Sequence, residues 1–166
     1  MFPRRIVVAG IAVAAAFAFA GPARAQTPAP TGTLTFHEPA SGGTFNIIDN
    51  APKSKQSGER TRFSTKDAIV FSNPLQDASG KRAGILKVIC WITTPGTFAS
   101  AKSECLGKFQ LANGSIFAYV PSQSFSSTTT DGTVIGGVGA YAGAKGTFHS
   151  VQHNNDTSDD TITLTP

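Results

Sequence analysis

From residue 33 onward, apolar and polar residues alternate in short runs separated by turn-forming clusters, the pattern of half-buried strands. Thr33-Leu34-Thr35-Phe36-His37-Glu38 puts Leu34 and Phe36 on one face, and Pro39 with Gly42-Gly43 ends it. Phe45 to Asp49 predicts a second strand, closed by Asn50-Ala51-Pro52. Ala68-Ile69-Val70-Phe71 predicts a third, with Asn73-Pro74 at its end, and Asp77-Ala78-Ser79-Gly80 is a turn. Arg82 to Thr93 reads as one long strand, ended by Pro95-Gly96. Cys105 to Leu111 returns, Asn113-Gly114 signals a hairpin, and Ser115 to Val120 is its partner. Ser126 to Thr130 reads as a polar linker, and Val134-Ile135 as a short strand running into Gly136-Gly137-Val138-Gly139. Thr147 to Val151 and Thr161 to Leu164 complete the set. No stretch after residue 25 repeats its apolar residues at helical spacing. About eight short strands in one domain predict an all-β sandwich or barrel. An eight-stranded barrel leaves no exposed edge and encloses either packed side chains or one small ligand.

The first 25 residues break this pattern. Arg4-Arg5 precede an uncharged, Ala-rich run from Ile6 to Gly21, and Ala23-Arg24-Ala25 follows Pro22. A basic start, an apolar core and an A-x-A close predict a signal peptide over 1–25. The run is shorter than the roughly 20 residues a spanning helix needs, so no stable membrane span is expected after cleavage. Arg4-Arg5 leaves general secretion and twin-arginine export both open. Residues 26–32 then form a flexible Pro/Ala-rich lead-in, and 33–166 the domain.

Cleavage changes the charge. The chain has 14 Lys+Arg and 10 Asp+Glu. Loss of Arg4, Arg5 and Arg24 takes the 14 positives to 11, close to neutrality. No basic block remains, which removes the electrostatic footprint of a nucleic-acid binder. The expected location is the periplasm or the exterior. There the two cysteines, Cys90 and Cys105, most simply form one disulfide.

Four segments carry a resemblance. They are Phe36-His37-Glu38, Ile69-Val70-Phe71-Ser72-Asn73-Pro74-Leu75, Gly80-Lys81-Arg82-Ala83-Gly84, and the glycine block from Val134 to Gly146. In this order they resemble the allene oxide cyclase and dirigent superfamily, most closely its small bacterial barrel-like members. The resemblance implies an eight-stranded antiparallel barrel, an apolar pocket open at one end, no cofactor and a homotrimer in the plant members. It also implies a role for Glu38 on a bound small hydrophobic molecule, steering ring closure by charge or assisting proton removal. The residues alone do not settle which way Glu38 points and leave it open as a solvated carboxylate at a strand end. This sequence departs from the plant families in its Glu where dirigents have Asp, in the Cys90/Cys105 pair, and in Val138 where Thr is usual.

Asp49, on the same face as Phe45 and Ile47, is a second candidate carboxylate, with an Asx-turn as the alternative. Phe71, Trp91, Phe117, Tyr119 and Phe148, with His37, are the candidate lining of a pocket, or its filling. His37, His149 and His153 lack the spacing of a metal site, so no metal is assigned. Asp156, Asp159 and Asp160 match no calcium-loop spacing and read as solvated. The glycine block lacks the βαβ context of a nucleotide loop and reads as a bulge or corner. The function expected is a cofactor-free barrel that binds a small hydrophobic molecule and guides its cyclisation or coupling. The alternative is a non-catalytic binding or structural barrel, such as a lipocalin-like carrier.

Overall fold

The computed structural model describes residues 30–50, 53, 62–153 and 156–166. The expected signal peptide, the start of the lead-in and most of the charged loop between Asp49 and Arg62 lie outside them. The described residues form strands and turns, with no helix. The strands are β1 (Gly32–Glu38), β2 (Thr44–Ile48), β3 (Arg62–Phe63), β4 (Ala68–Gln76), β5 (Arg82–Thr94) and β6 (Gly96–Thr97). They continue as β7 (Lys102–Leu111), β8 (Gly114–Ser124), β9 (Thr129–Gly139), β10 (Lys145–Gln152) and β11 (Ser158–Thr165).

One antiparallel sheet runs β1-β11-β10-β9-β8-β7-β5-β4-β2, and a further β1–β4 pairing at His37 and Gln76 closes it. Eight strands therefore make a closed barrel. The ninth, β2, lies along β4 from Ala68 to Ser72, beyond the point that β1 reaches. This explains a departure from the sequence expectation. Asn73-Pro74 lies inside β4, not at its end. Between the stretches paired to β2 and to β1, β4 has a registered partner only in β5. A strand tolerates the missing N–H of proline where it has no partner on one side. The polar linker is likewise shorter than expected, because Thr129 and Thr130 already belong to β9.

Alternation directs Phe36, Leu75, Leu86, Phe109, Ile116 and Ile162 inward, where they fill one end of the lumen. Phe109 packs between Phe36 and Phe148, with ring centroids 6.2 and 5.4 Å away. At the other end Phe63, Phe98 and Phe125 form a second aromatic group beside the small β3–β6 pairing. Cys90 and Cys105 lie directly opposite in the β5–β7 ladder and are disulfide-bonded.

The glycine block runs from the end of β9 through the turn into β10, and a register shift within β9 makes Ile135 the extra residue of a bulge. Phe117 pairs with Gly136 and Ala118 with Val134, which turns Ile135 out to solvent. Gly137 lies against Tyr141, as the bulge-or-corner reading requires: a Cβ there would meet the Tyr141 carbonyl oxygen at 2.2 Å.

Candidate functional site

The end of the barrel that Phe109 does not fill is hollow. A cavity of about 490 Å³ opens there, within the range of small-molecule sites. Its inner wall carries Phe71, Leu86, Val88, Phe109 and Phe148, together with the Cys90–Cys105 disulfide. Phe98 and Phe125 stand at the mouth, which is also lined by the turn after β1 and by Thr44 and Phe45 at the start of β2. The position follows from topology. The mouth gathers the ends of β1, β5, β8 and β10 and the starts of β4, β7, β9 and β11, where the inward side chains become small or polar.

One carboxylate reaches this wall. Glu38, the last residue of β1, is 6% exposed, and its Oε2 accepts a 2.5 Å hydrogen bond from Asn73 Nδ2 on β4. Behind it lies Asp160, 1% exposed, on the inward face of β11 with Ile162 and Leu164. No group stands in good hydrogen-bond geometry on either Asp160 oxygen. Glu38 and Ser150 are its polar neighbours, Ser150 being its direct partner in the β10–β11 ladder. Burial pushes the Asp160 carboxyl well above the usual range, and the Glu38 charge adds to the rise. Burial also raises Glu38, against the opposing pull of Asn73, Asp160 and His37. Two buried carboxyls side by side do not ionise together readily, so the pair holds a proton, with Asp160 the favoured site.

On the outer side of the same two strands, Asp159 lies between two histidines. His37 Nδ1 and Asp159 Oδ1 are 2.8 Å apart, and His153 Nε2 and Asp159 Oδ2 2.9 Å. These contacts hold the Asp159 carboxyl below its ordinary range. His149 Nδ1 meets Asp131 Oδ1 at 2.7 Å, also at the surface. Among the described residues no group of three or more His, Cys, Asp or Glu is placed to hold a metal ion.

The structure brings together Glu38, Phe71 and Phe148 from the sequence expectation, and adds Asp160, Asn73 and the disulfide. It places the other candidates elsewhere. Trp91, 42% exposed, follows inward Cys90 and therefore points outward. Phe117 and Tyr119 flank inward Ala118 and take the outer face, where Tyr119 Oη donates to Glu104 Oε2 at 2.7 Å. His37 precedes inward Glu38 and is likewise outside. Asp49 follows the end of β2, half-buried, and does not line the cavity. Asp160 had one legible signal: it shares strand parity with Ile162 and Leu164.

No protein-family model matches the chain, and no curated protein matches it. Solved structures do. A pyocyanin demethylase is similar at 21% identity, over 80% of this chain and 99% of that one, with a TM-score of 0.58. AbnU, an exo-specific intermolecular Diels-Alderase, is similar at 14% identity, over 80% and 98%, with a TM-score of 0.53. The pterocarpan synthase dirigent protein GePTS1 is similar at 12% identity, over 81% and 89%, with a TM-score of 0.58. At these identities the likeness carries the fold alone: the chain has a closed eight-stranded barrel like that of these proteins, the dirigent protein among them.

Proposed function

We propose that the barrel admits a small hydrophobic molecule to the cavity and guides its cyclisation or coupling without a cofactor. The observation that carries this reading is a buried carboxylate, Glu38, set into the wall of a hollow rich in aromatic and aliphatic side chains, with Asp160 behind it. Confinement supplies orientation, which lowers a barrier without any reactive group. Glu38 takes a proton from the bound molecule as the new bond forms, and the carboxyl pair returns one to the product, so the proton count closes. Asn73 holds Glu38 in place for this exchange. The similar structures include a Diels-Alderase and dirigent proteins named pterocarpan synthases, which agrees with chemistry steered by a shaped cavity. The disulfide is compatible with work in an oxidising compartment, the periplasm or the exterior.

Native mass spectrometry of protein exported to and purified from a bacterial periplasm tests occupancy, alongside titration with the neutral dye Nile red. A saturable site that disappears in Val88→Trp, which fills the hollow, is the expected result. A barrel that binds neither a co-purified molecule nor the dye overturns the reading and leaves a structural module.

A further inference from the structure

The charge of the cavity narrows what it takes. Among the described residues that line it there is no Lys, Arg or His, while Glu38 stands in the wall and Asp156 at the rim. The other polar groups of the lining, among them Asn73, Gln123, Thr130, Ser150 and Gln152, are neutral. The acids therefore set the local potential, and low-dielectric walls strengthen it. An anionic ligand would enter against that potential with no cation to receive it. This disfavours a free fatty acid.

A further feature points the other way: phenylalanines supply the rest of the recognition. Phe71, Phe109 and Phe148 stand in the wall and Phe45, Phe98 and Phe125 around the mouth. Aromatic faces attract cations as well as flat rings. Six of them around one carboxylate make a container for a planar, positively charged ring.

We propose that the ligand is a planar aromatic cation, or a ring base that binds in its protonated form, with its charge toward Glu38 and its faces on the phenylalanines. The proposal rests on the cavity-binding reading above and names the substrate class for it.

Three probes of one shape and different charge test it: N-methylacridinium, 9-anthracenemethanol and 9-anthracenecarboxylate, titrated by fluorescence into the disulfide-bonded protein. The cation is expected to bind about ten-fold tighter than the neutral alcohol, and the carboxylate more weakly than both. Glu38→Gln is expected to remove most of the preference for the cation while leaving affinity for the alcohol within about two-fold. The ranking in the unaltered protein stands by itself should that variant fail to fold. Equal affinity for cation and alcohol overturns the charge inference but leaves the cavity reading intact. Tight binding of the carboxylate does the same. A preference for the cation that survives Glu38→Gln removes the assigned role of Glu38 and overturns the proposal. Failure of all three probes to bind overturns the proposal, and overturns the cavity reading as well only where Nile red also fails to bind.

Discussion

Glu38 and Asp160 face the lumen from neighbouring antiparallel strands, offset by two positions in register, so that two carboxyls share one buried site. Glu38 pairs with Ser158, and Asp160 with Phe36. The offset lets Glu38 reach the cavity while Asp160 stays behind it, against Ser150.

That burial makes stability depend on pH. Asp160 is raised above its unfolded value by burial first and by Glu38 second. The native state therefore holds more protons than the unfolded one, so stability falls as pH rises from the ordinary carboxylate range through the folded value. Asp159 is lowered and works in the opposite sense, but a variant at 160 leaves it in place. Asp160→Asn is expected to stabilise the protein by roughly 1–3 kcal/mol near pH 8, and by much less near pH 4. Urea unfolding at both pH values measures the difference. A variant less stable than the parent at the higher pH would show that the buried charge has a partner.

Of the groups that oppose the rise of Glu38, Asn73 acts most strongly. Asn73→Ala removes the donor and is expected to move the Glu38 carboxyl titration upward. Carbon-13 NMR of the side-chain carboxyl, followed against pH, reads the change directly. A titration that stays in place would mean that water replaces the amide.

The disulfide joins strands already paired, and it closes a loop with a sequence separation of 15. In the chain-entropy model this is worth about 3 kcal/mol, through the unfolded state. Cys90→Ala/Cys105→Ala is expected to lower the urea midpoint accordingly while the Nile red site persists. Loss of the dye site in a folded double variant would instead show that the bridge shapes the cavity wall.

The barrel was readable because its strands alternate and its turns carry Gly, Pro and Asn. The pocket was less so, and β5 shows why. Leu86, Val88 and Cys90 face in, yet Ile85, Ile89 and Trp91 are equally apolar and face out. When both faces of a strand are apolar, alternation gives two faces but does not name the inner one. Size misleads further, since the largest ring, Trp91, lies outside. Glu38 was found through a resemblance, whereas Asp160 was hidden by acidic neighbours that resemble a solvated loop. Only closure of β1 onto β11 brings the two together.

Phe148 and Trp91 separate lumen from surface by experiment. Phe148 lines the cavity and packs on Phe109 at 5.4 Å. Phe148→Ala is expected to cost roughly 3–5 kcal/mol and to alter Nile red affinity. Trp91→Ala should leave that affinity within about two-fold, because its side chain points away from the hollow. A large effect of Trp91→Ala on dye binding would contradict the inward parity of Cys90.

The glycine block offers the sharpest test of the bulge, because two adjacent glycines have opposite surroundings. At Gly136 an added Cβ meets nothing within 4 Å. At Gly137 it meets the Tyr141 carbonyl oxygen at 2.2 Å, the Tyr141 Cβ at 2.8 Å and the Ser115 carbonyl oxygen at 2.9 Å. Two of these atoms are backbone, so a rotamer change cannot relieve the clash. Neither residue has a positive φ, which leaves space as the deciding factor. Gly136→Ala is expected to be neutral or to stabilise by up to about 1 kcal/mol, since alanine restricts the unfolded chain. Gly137→Ala should cost roughly 1–3 kcal/mol, because either Tyr141 or β8 must move. Thermal unfolding of the two variants side by side decides the matter. Equal effects would mean that the turn after β9 does not close on Gly137, and the reason for a second glycine there would vanish.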